Sequence, residues 1–456
     1  MRPSPSRFQA LAWVWVLLGA SWLVGCAGHA SRTVAARRAL DAHDPARALT
    51  LYNEALDVKS GAELPKSTAG DNAVLLLDRS MVSHQLAAFE NTSRDLEAAD
   101  KAVEMLDFSR STADEIGRYL FSDDTGPYKA RPFEKLLINT MNMLAYLSRG
   151  DMAGAKIEAR RLAVMQKYLG QVEDDPARAL LGPGSYLAGF VFERAGDADE
   201  ALRYYDEALR LGSYPSLREP LAALAERSGY RTPRLTKAIA DKSAGGNPDD
   251  ADVLVVVSYG RVPALRAERI PIGLALTYVG ANLDPAQNQA ARRMAGQGLV
   301  TWVNFPSVDG VPRSYVPPVV SVGGRGLGGD VPTDVEGMVR TAYDRAKGAV
   351  IASAITRMVT RGAVGAGAGA AAAKLSKSGP LGMLVALTAQ ASLTVVDTPD
   401  TRSWATLPAR IAVFRTRLPA GRHTVQASLL GRSASQTIQV EKGGFAVVSF
   451  TELSQY

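Results

Sequence analysis

The stretch GPGSYLAGFVFERAGDADEALRYYDEALRLGSYP, Gly182–Pro215, decides how the first half of this chain folds. Its apolar residues recur at helical spacing on both sides of Gly196, which predicts two helices joined by a tight turn. Gly189, Ala201 and Ala208 are small and let the two helices approach closely, while Phe192 and Tyr205 are large enough to fill the gap to a neighbouring pair. One such pair cannot bury its apolar face alone, so further pairs are expected around it.

This pattern resembles the tetratricopeptide repeat, and worn copies of it appear elsewhere. Ala48, Tyr52 and Ala55 in DPARALTLYNEALD reproduce a second helix, and Tyr146, Gly150, Ala155 and Ala159 in LAYLSRGDMAGAKIEARR reproduce a turn and its flanks. Asp95, Ala99 and Ala102 keep only the spacing. One strong unit and three weak ones predict an irregular α-solenoid over about Ser31–Ala240, with Pro215–Tyr230 as its capping helix. Ser122–Pro132 (SDDTGPYKARP) reads as a loop, with Pro132 in the first turn of the following helix.

Helical periodicity stops at Ser243–Asp250, where Gly245, Gly246, Asn247 and Pro248 mark a linker. Strands follow. Val253–Ser258 (VLVVVS) and Leu299–Val303 are short β-prone runs, and Asp309-Gly310 between apolar arms predicts a hairpin. Pro317 and Pro318 confine the next arm to an edge or loop. Thr333-Asp334-Val335-Glu336 has the form of a capping box opening a helix. That helix runs into GAVGAGAGAAAA and breaks near Ser378-Gly379-Pro380, and a second apolar helix to about Val396 completes a helical hairpin at about 334–396. Arg410–Arg417, His423–Leu429, Ser433–Val440 and Phe445–Phe450, separated by glycine turns, predict an antiparallel meander. The expected fold class is α+β: an N-terminal irregular tetratricopeptide-like α-solenoid (residues 26–242), then an antiparallel β domain (251–456) carrying the helical hairpin.

The N-terminus sets the expected address. Arg2 and Arg7 precede an uncharged run from Phe8 to Val24, which ends in Leu23-Val24-Gly25-Cys26. A basic flank, a short apolar core and a small residue before the cut describe a secretory signal over residues 1–25. The ending resembles the lipobox of bacterial lipoproteins, which implies acylation of Cys26 and stable membrane anchoring. Ala27, rather than aspartate, implies the outer membrane. Cys26 is the only cysteine, so no internal disulfide and no cysteine-based zinc site is expected. The formal charge of +6, about +4 without the signal, makes no case for nucleic acid. Ser378–Val396 is long enough to consider as a membrane span, but Thr388, Gln390, Ser392 and Thr394 make it a poor one.

RPFEKLLINTMNMLAYL, SYGRVPALRAERIPI and DTRSWATLPARIAVFRTRLPAGRH resemble the hallmark segments of a largely uncharacterised bacterial lipoprotein family with tetratricopeptide-like repeats. The resemblance covers about residues 125–430 and implies no catalytic residues.

Gly324-Arg325-Gly326-Leu327-Gly328-Gly329 satisfies G-x-G-x-x-G, but Asp330-Val331-Pro332 intervenes before the helix that a dinucleotide site requires, so a glycine loop and no cofactor are expected. Neither H-E-x-x-H nor G-x-S-x-G occurs, and Asp123-Asp124 and Asp249-Asp250 read as solvated turn residues. No metal site and no enzyme is expected. From Arg345 to Val396 there are six basic residues and no acidic one, which fits either packing with snorkelling side chains or contact with anionic lipid. Trp404 is expected to pack between the hairpin and the meander.

The resulting expectation is a lipid-anchored, periplasm-facing adaptor that binds a cell-envelope protein partner through the concave face of its helices. Asn139, Asn142 and Arg149 are the candidate partner-binding residues, with 139 and 142 on one helical face. Phe192 and Tyr205 are expected to be structural. The alternatives are a periplasmic enzyme acting on envelope polymer, which a charged closed pocket would favour, and a structural subunit that docks at a membrane through the basic hairpin.

Overall fold

The structure is a computed structural model that describes residues 29–103, 130–170, 180–240, 249–296, 302–308, 310–375 and 399–455, with Tyr128 and Asn247. It is mixed α and β, with helices in the N-terminal half and sheets in the C-terminal part. The signal stretch, Cys26, Asp123-Asp124, residues 241–246 of the expected linker and the second arm of the expected helical hairpin lie outside the described residues.

Short helices α1 (His29–Arg32) and α2 (Val34–Asp41) lead into α3 (Pro45–Ala55). Asp44 caps α3 by accepting from the Arg47 amide at 2.9 Å, with Pro45 in its first turn. Three antiparallel pairs follow: α4 (Asp71–Gln85) with α5 (Phe89–Ala102), α6 (Pro132–Ser148) with α7 (Met152–Gly170), and α8 (Leu181–Arg194) with α9 (Ala198–Leu211). Glycine sets the close approach within two of them. A Cβ added at Gly189 would collide with the Tyr205 ring, and one at Gly154 with the Tyr146 ring. The helical half ends with a 3-10 turn at Pro215–Leu217, α10 (Arg218–Ala225) and α11 (Pro233–Ala240).

The first helix of each pair is buried all round: α4 from Ala73 to His84, and α8 from Leu181 to Glu193. Their partner helices cover one side, and the C-terminal sheet covers the other. That sheet has the order β10-β1-β7-β6, built from β1 (Ala251–Tyr259), β6 (Thr333–Asp334), β7 (Arg410–Leu418) and β10 (Phe445–Glu452). Every residue of β1 is buried, as a central strand covered on both faces requires. Leu254, Val256, Ile411, Val413 and Val447 face the helices, and they share one core with them. Val253, Val255, Val257, Phe414 and Val448 face a second sheet, order β5-β4-β8-β9. Its strands are β4 (Val319–Val322), β5 (Arg325–Leu327), β8 (Gly421–Leu429) and β9 (Arg432–Val440). The result is three layers: helices, sheet, sheet. The largest core therefore crosses the expected boundary at Ser243–Asp250.

A satellite core stands apart. It is built from the antiparallel β2–β3 pair (Leu265–Pro271, Trp302–Val308), α12 (Ile272–Tyr278), α13 (Pro285–Gly296) and the Tyr343–Val359 part of α14 (Val335–Leu375), whose first turn (Val335, Val339) packs in the largest core instead.

Three expectations are corrected here. The four C-terminal strands form no single meander: β7 and β8 lie in different sheets, and β10 pairs with β1 in parallel, Val255 opposite Val448. The Asp309-Gly310 turn closes no hairpin, because β3 pairs with the preceding β2, and the prolines after Gly310 keep the next arm out of a ladder. The cap of α14 is Asp334, which accepts from the Gly337 amide at 2.8 Å, while Glu336 pairs with Arg340.

Candidate functional site

Gly310–Pro318 crosses the end of the sandwich as an extended strap. Gly310 turns the chain with φ at 65°, and Pro312, Pro317 and Pro318 then hold it extended and remove backbone donors. Charged side chains pin its backbone. Arg340 donates to the Gly310 and Val311 carbonyls, each at 3.0 Å, and Arg410 to the Arg313 carbonyl at 3.3 Å. Arg313 donates to the Gln455 carbonyl at 2.8 Å. Tyr315 lies against Gly260, where any side chain would collide with its ring, and meets Tyr259 edge-on at 6.1 Å between centroids.

A backbone held so firmly leaves its valines no route inward. Val311 and Val316 are each 78% exposed, and Val319, at the start of β4, is 67% exposed. Beside them an open groove of roughly 660 Å³ runs between the strap and the tip of the β8–β9 hairpin, lined by Tyr315, Val316, Pro317, Val319, Ser428 and Leu430 among others. The sequence carries no carboxylate from Val311 to Gly329 or from Thr401 to Val440. An apolar wall, free of acidic groups and backed by fixed backbone, suits an extended peptide with apolar side chains.

The residues expected to bind a partner lie elsewhere. Asn139 is 3% exposed on α6, and its amide donates to Glu158 on α7 at 2.8 Å. Asn142 is 1% exposed, with its carbonyl oxygen enclosed. Neither faces an open groove: Asn139 is turned onto α7, and the chain's own sheet covers another side of α6. Arg149 is exposed at the end of α6, where it pairs with Asp151 at 3.0 Å and lies over the Tyr146 ring. Phe192 and Tyr205 are buried; Phe192 stacks on Tyr204. Trp404 is buried in the core shared with the helices, its amide donating to Glu134 at 3.0 Å, rather than between hairpin and meander.

The expected glycine loop is a turn and a strand: its first residue, Gly324, closes a β-turn and Arg325–Leu327 form β5. Gly323 and Gly324 both have positive φ and join β4 to β5, so no helix starts there to face a phosphate. Asp249 pairs with Lys442 at 3.0 Å. His84 and Ser449 are hydrogen-bonded at 2.8 Å, enclosed between α4 and β10, where burial pushes the imidazole down to about 4. His29 bonds Asp78 at 3.0 Å, likewise buried.

The strap was missed in the sequence because GVPRSYVPP reads as an irregular connection. The available signal was the interleaving of valine with proline, which exposes apolar side chains on a chain unable to fold back. No family model matches this chain, and no curated protein is similar to it.

Proposed function

We propose that this chain is a lipid-anchored adaptor on the periplasmic face of the outer membrane, which holds a cell-envelope protein by an extended apolar segment. The observation that carries the docking site is an open groove lined by exposed Val316 of the pinned strap and exposed Val319 of β4. Isolated exposed valines are ordinary; two exposed along one groove wall, backed by a pinned backbone, mark an interaction surface. We read the helix pairs as tetratricopeptide-like, supported by the Gly189–Tyr205 and Gly154–Tyr146 contacts. In this reading the solenoid's inner face holds the chain's own sheet, and the sheet's far end holds the partner. Cys26 supplies the anchor.

The test is site-specific photocrosslinking in intact cells. A crosslinker at Val316 or Val319 captures one common partner, whereas a crosslinker at Arg203 on the outer helical face does not. Val316→Asp abolishes capture with an unchanged thermal midpoint. Cys26→Ser moves the protein from the membrane to the soluble fraction. Capture that survives Val316→Asp removes the strap as the site, and a firmly membrane-bound Cys26→Ser protein removes the anchor.

A further inference from the structure

The satellite core leaves one apolar pair outside. α12 buries Ile272 and Ala275 and turns Leu274 and Tyr278 outward, each 45% exposed. The spacing of four residues places them on one face. α14 lies hard against the end of this helix at Gly348, where an added Cβ would meet the Tyr278 carbonyl at 3.1 Å and the Asn282 amide at 2.8 Å. That approach sets the Lys347 ammonium over the Tyr278 ring, 5.0 Å from its centroid. Asp344 is the last carboxylate before the run from Arg345 to Val396, which carries basic residues alone.

An aliphatic side chain, an aromatic ring with a polar tip and an ammonium therefore share one corner, on a helix that carries no carboxylate beyond Asp344. We propose that this corner is a peripheral membrane contact that recognises anionic lipid headgroups. Leu274 and the Tyr278 ring enter the headgroup–acyl boundary, the phenol stays at the polar level, and Lys347 meets the lipid phosphate. Charge selects the occupant: Lys347 at the corner, with no carboxylate following it in the helix, favours an acidic bilayer surface, while a neutral one offers only the small apolar pair. Among the described residues no helix is long and apolar enough to cross a membrane. The inference stands apart from the strap and from Cys26.

The test uses the full chain from residue 26 with Cys26→Ser, so that no acyl chain contributes. It sediments with vesicles of phosphatidylglycerol and phosphatidylcholine, not with phosphatidylcholine alone, and added salt weakens the binding. Lys347→Gln lowers the partition coefficient about fivefold, the effect of one basic residue near an acidic surface. Leu274→Gln with Tyr278→Gln lowers it further and keeps the parent thermal midpoint because both side chains are exposed, while Lys347→Gln, at a half-buried position, is compared as protein shown to be folded by circular dichroism. Equal sedimentation with both vesicle types, no sedimentation at all, or folded variants that bind like the parent would overturn the proposal.

Discussion

The two faces of the central sheet are packed by different means. Toward the second sheet, Val253, Val255, Val257, Phe414 and Val448 meet Val320, Val425 and Ala427, an apolar contact. Toward the helices, polar groups cross the interface at many points. Arg415 on β7 reaches Glu193 on α8 at 2.8 Å and Asp252 on β1 at 2.9 Å. Asp78 on α4 accepts from the Thr406 amide and hydroxyl, each at 3.0 Å, Glu134 takes the Trp404 amide, and His84 meets Ser449. Apolar surfaces alone offer a helix layer several near-equivalent seats. A buried charge lattice penalises every seat that strands a charge, so this face selects one register where the other supplies cohesion.

Substitutions on each face break or sharpen that contrast. The largest effect belongs to Arg415→Met, which leaves buried Glu193 and Asp252 to share Arg194 alone and is expected to cost about 3–5 kcal/mol in urea unfolding. Adding Glu193→Gln and Asp252→Asn should recover much of this loss. A single-variant cost below about 1 kcal/mol would mean that the lattice does not seat the helices.

Acid comes next. Burial alone would raise Glu193 and Asp252, but Arg415 and then Arg194 outweigh it and hold both carboxyls below their ordinary range. His84 falls from 6.5 to about 4 through burial. In all three the folded state binds fewer protons than the unfolded one, so stability is lost as pH falls. His84 contributes between about 6.5 and about 4, roughly 3 kcal/mol in full; the carboxylates contribute below their ordinary range. In chemical denaturation across pH, His84→Gln should flatten the slope between about 6.5 and about 5. An unchanged slope would deny the buried imidazole this role.

Apolar packing gives the smallest effects. Gly189→Ala forces the α8–α9 pair apart at Tyr205 and is expected to cost about 1–3 kcal/mol. Ile438→Val, on the second sheet, should cost about 1 kcal/mol, and a larger loss there than for Arg415→Met would reverse the comparison.

The helix pairs were legible because close packing is a local matter: Gly189 and Tyr205 declare each other within one hairpin. The strands from Arg410 onward were legible as strands for the same reason. Their partners were not, since β-prone alternation in Phe445–Phe450 says nothing of whether it pairs with β9 or crosses to β1. Leu265–Pro271 was missed because its alternation is broken by charges, with Arg269 bonded to Asn304. Asn139 and Asn142 looked like surface residues because polarity suggests exposure. Only the tertiary structure shows that their helix is enclosed on several sides, by α7 where Asn139 meets Glu158 and by β10 of a sheet hundreds of positions later. The strap escaped notice because its meaning lies in Arg340 and Arg410, which arrive from distant elements.

The parallel seating of β10 beside β1 has a kinetic consequence. The final strand completes the sheet on which the first helices rest, and Gln455 donates its amide to Asp41 across 414 positions of sequence. A chain made from its N-terminus can form each helix pair early, since those contacts are local, yet the inner helices stay uncovered until the last strand arrives. Folding is therefore expected to be slow and to finish in one late step. Until then the buried faces of α4, α6 and α8 are open to misassembly, and a binding chaperone has its greatest effect in that interval.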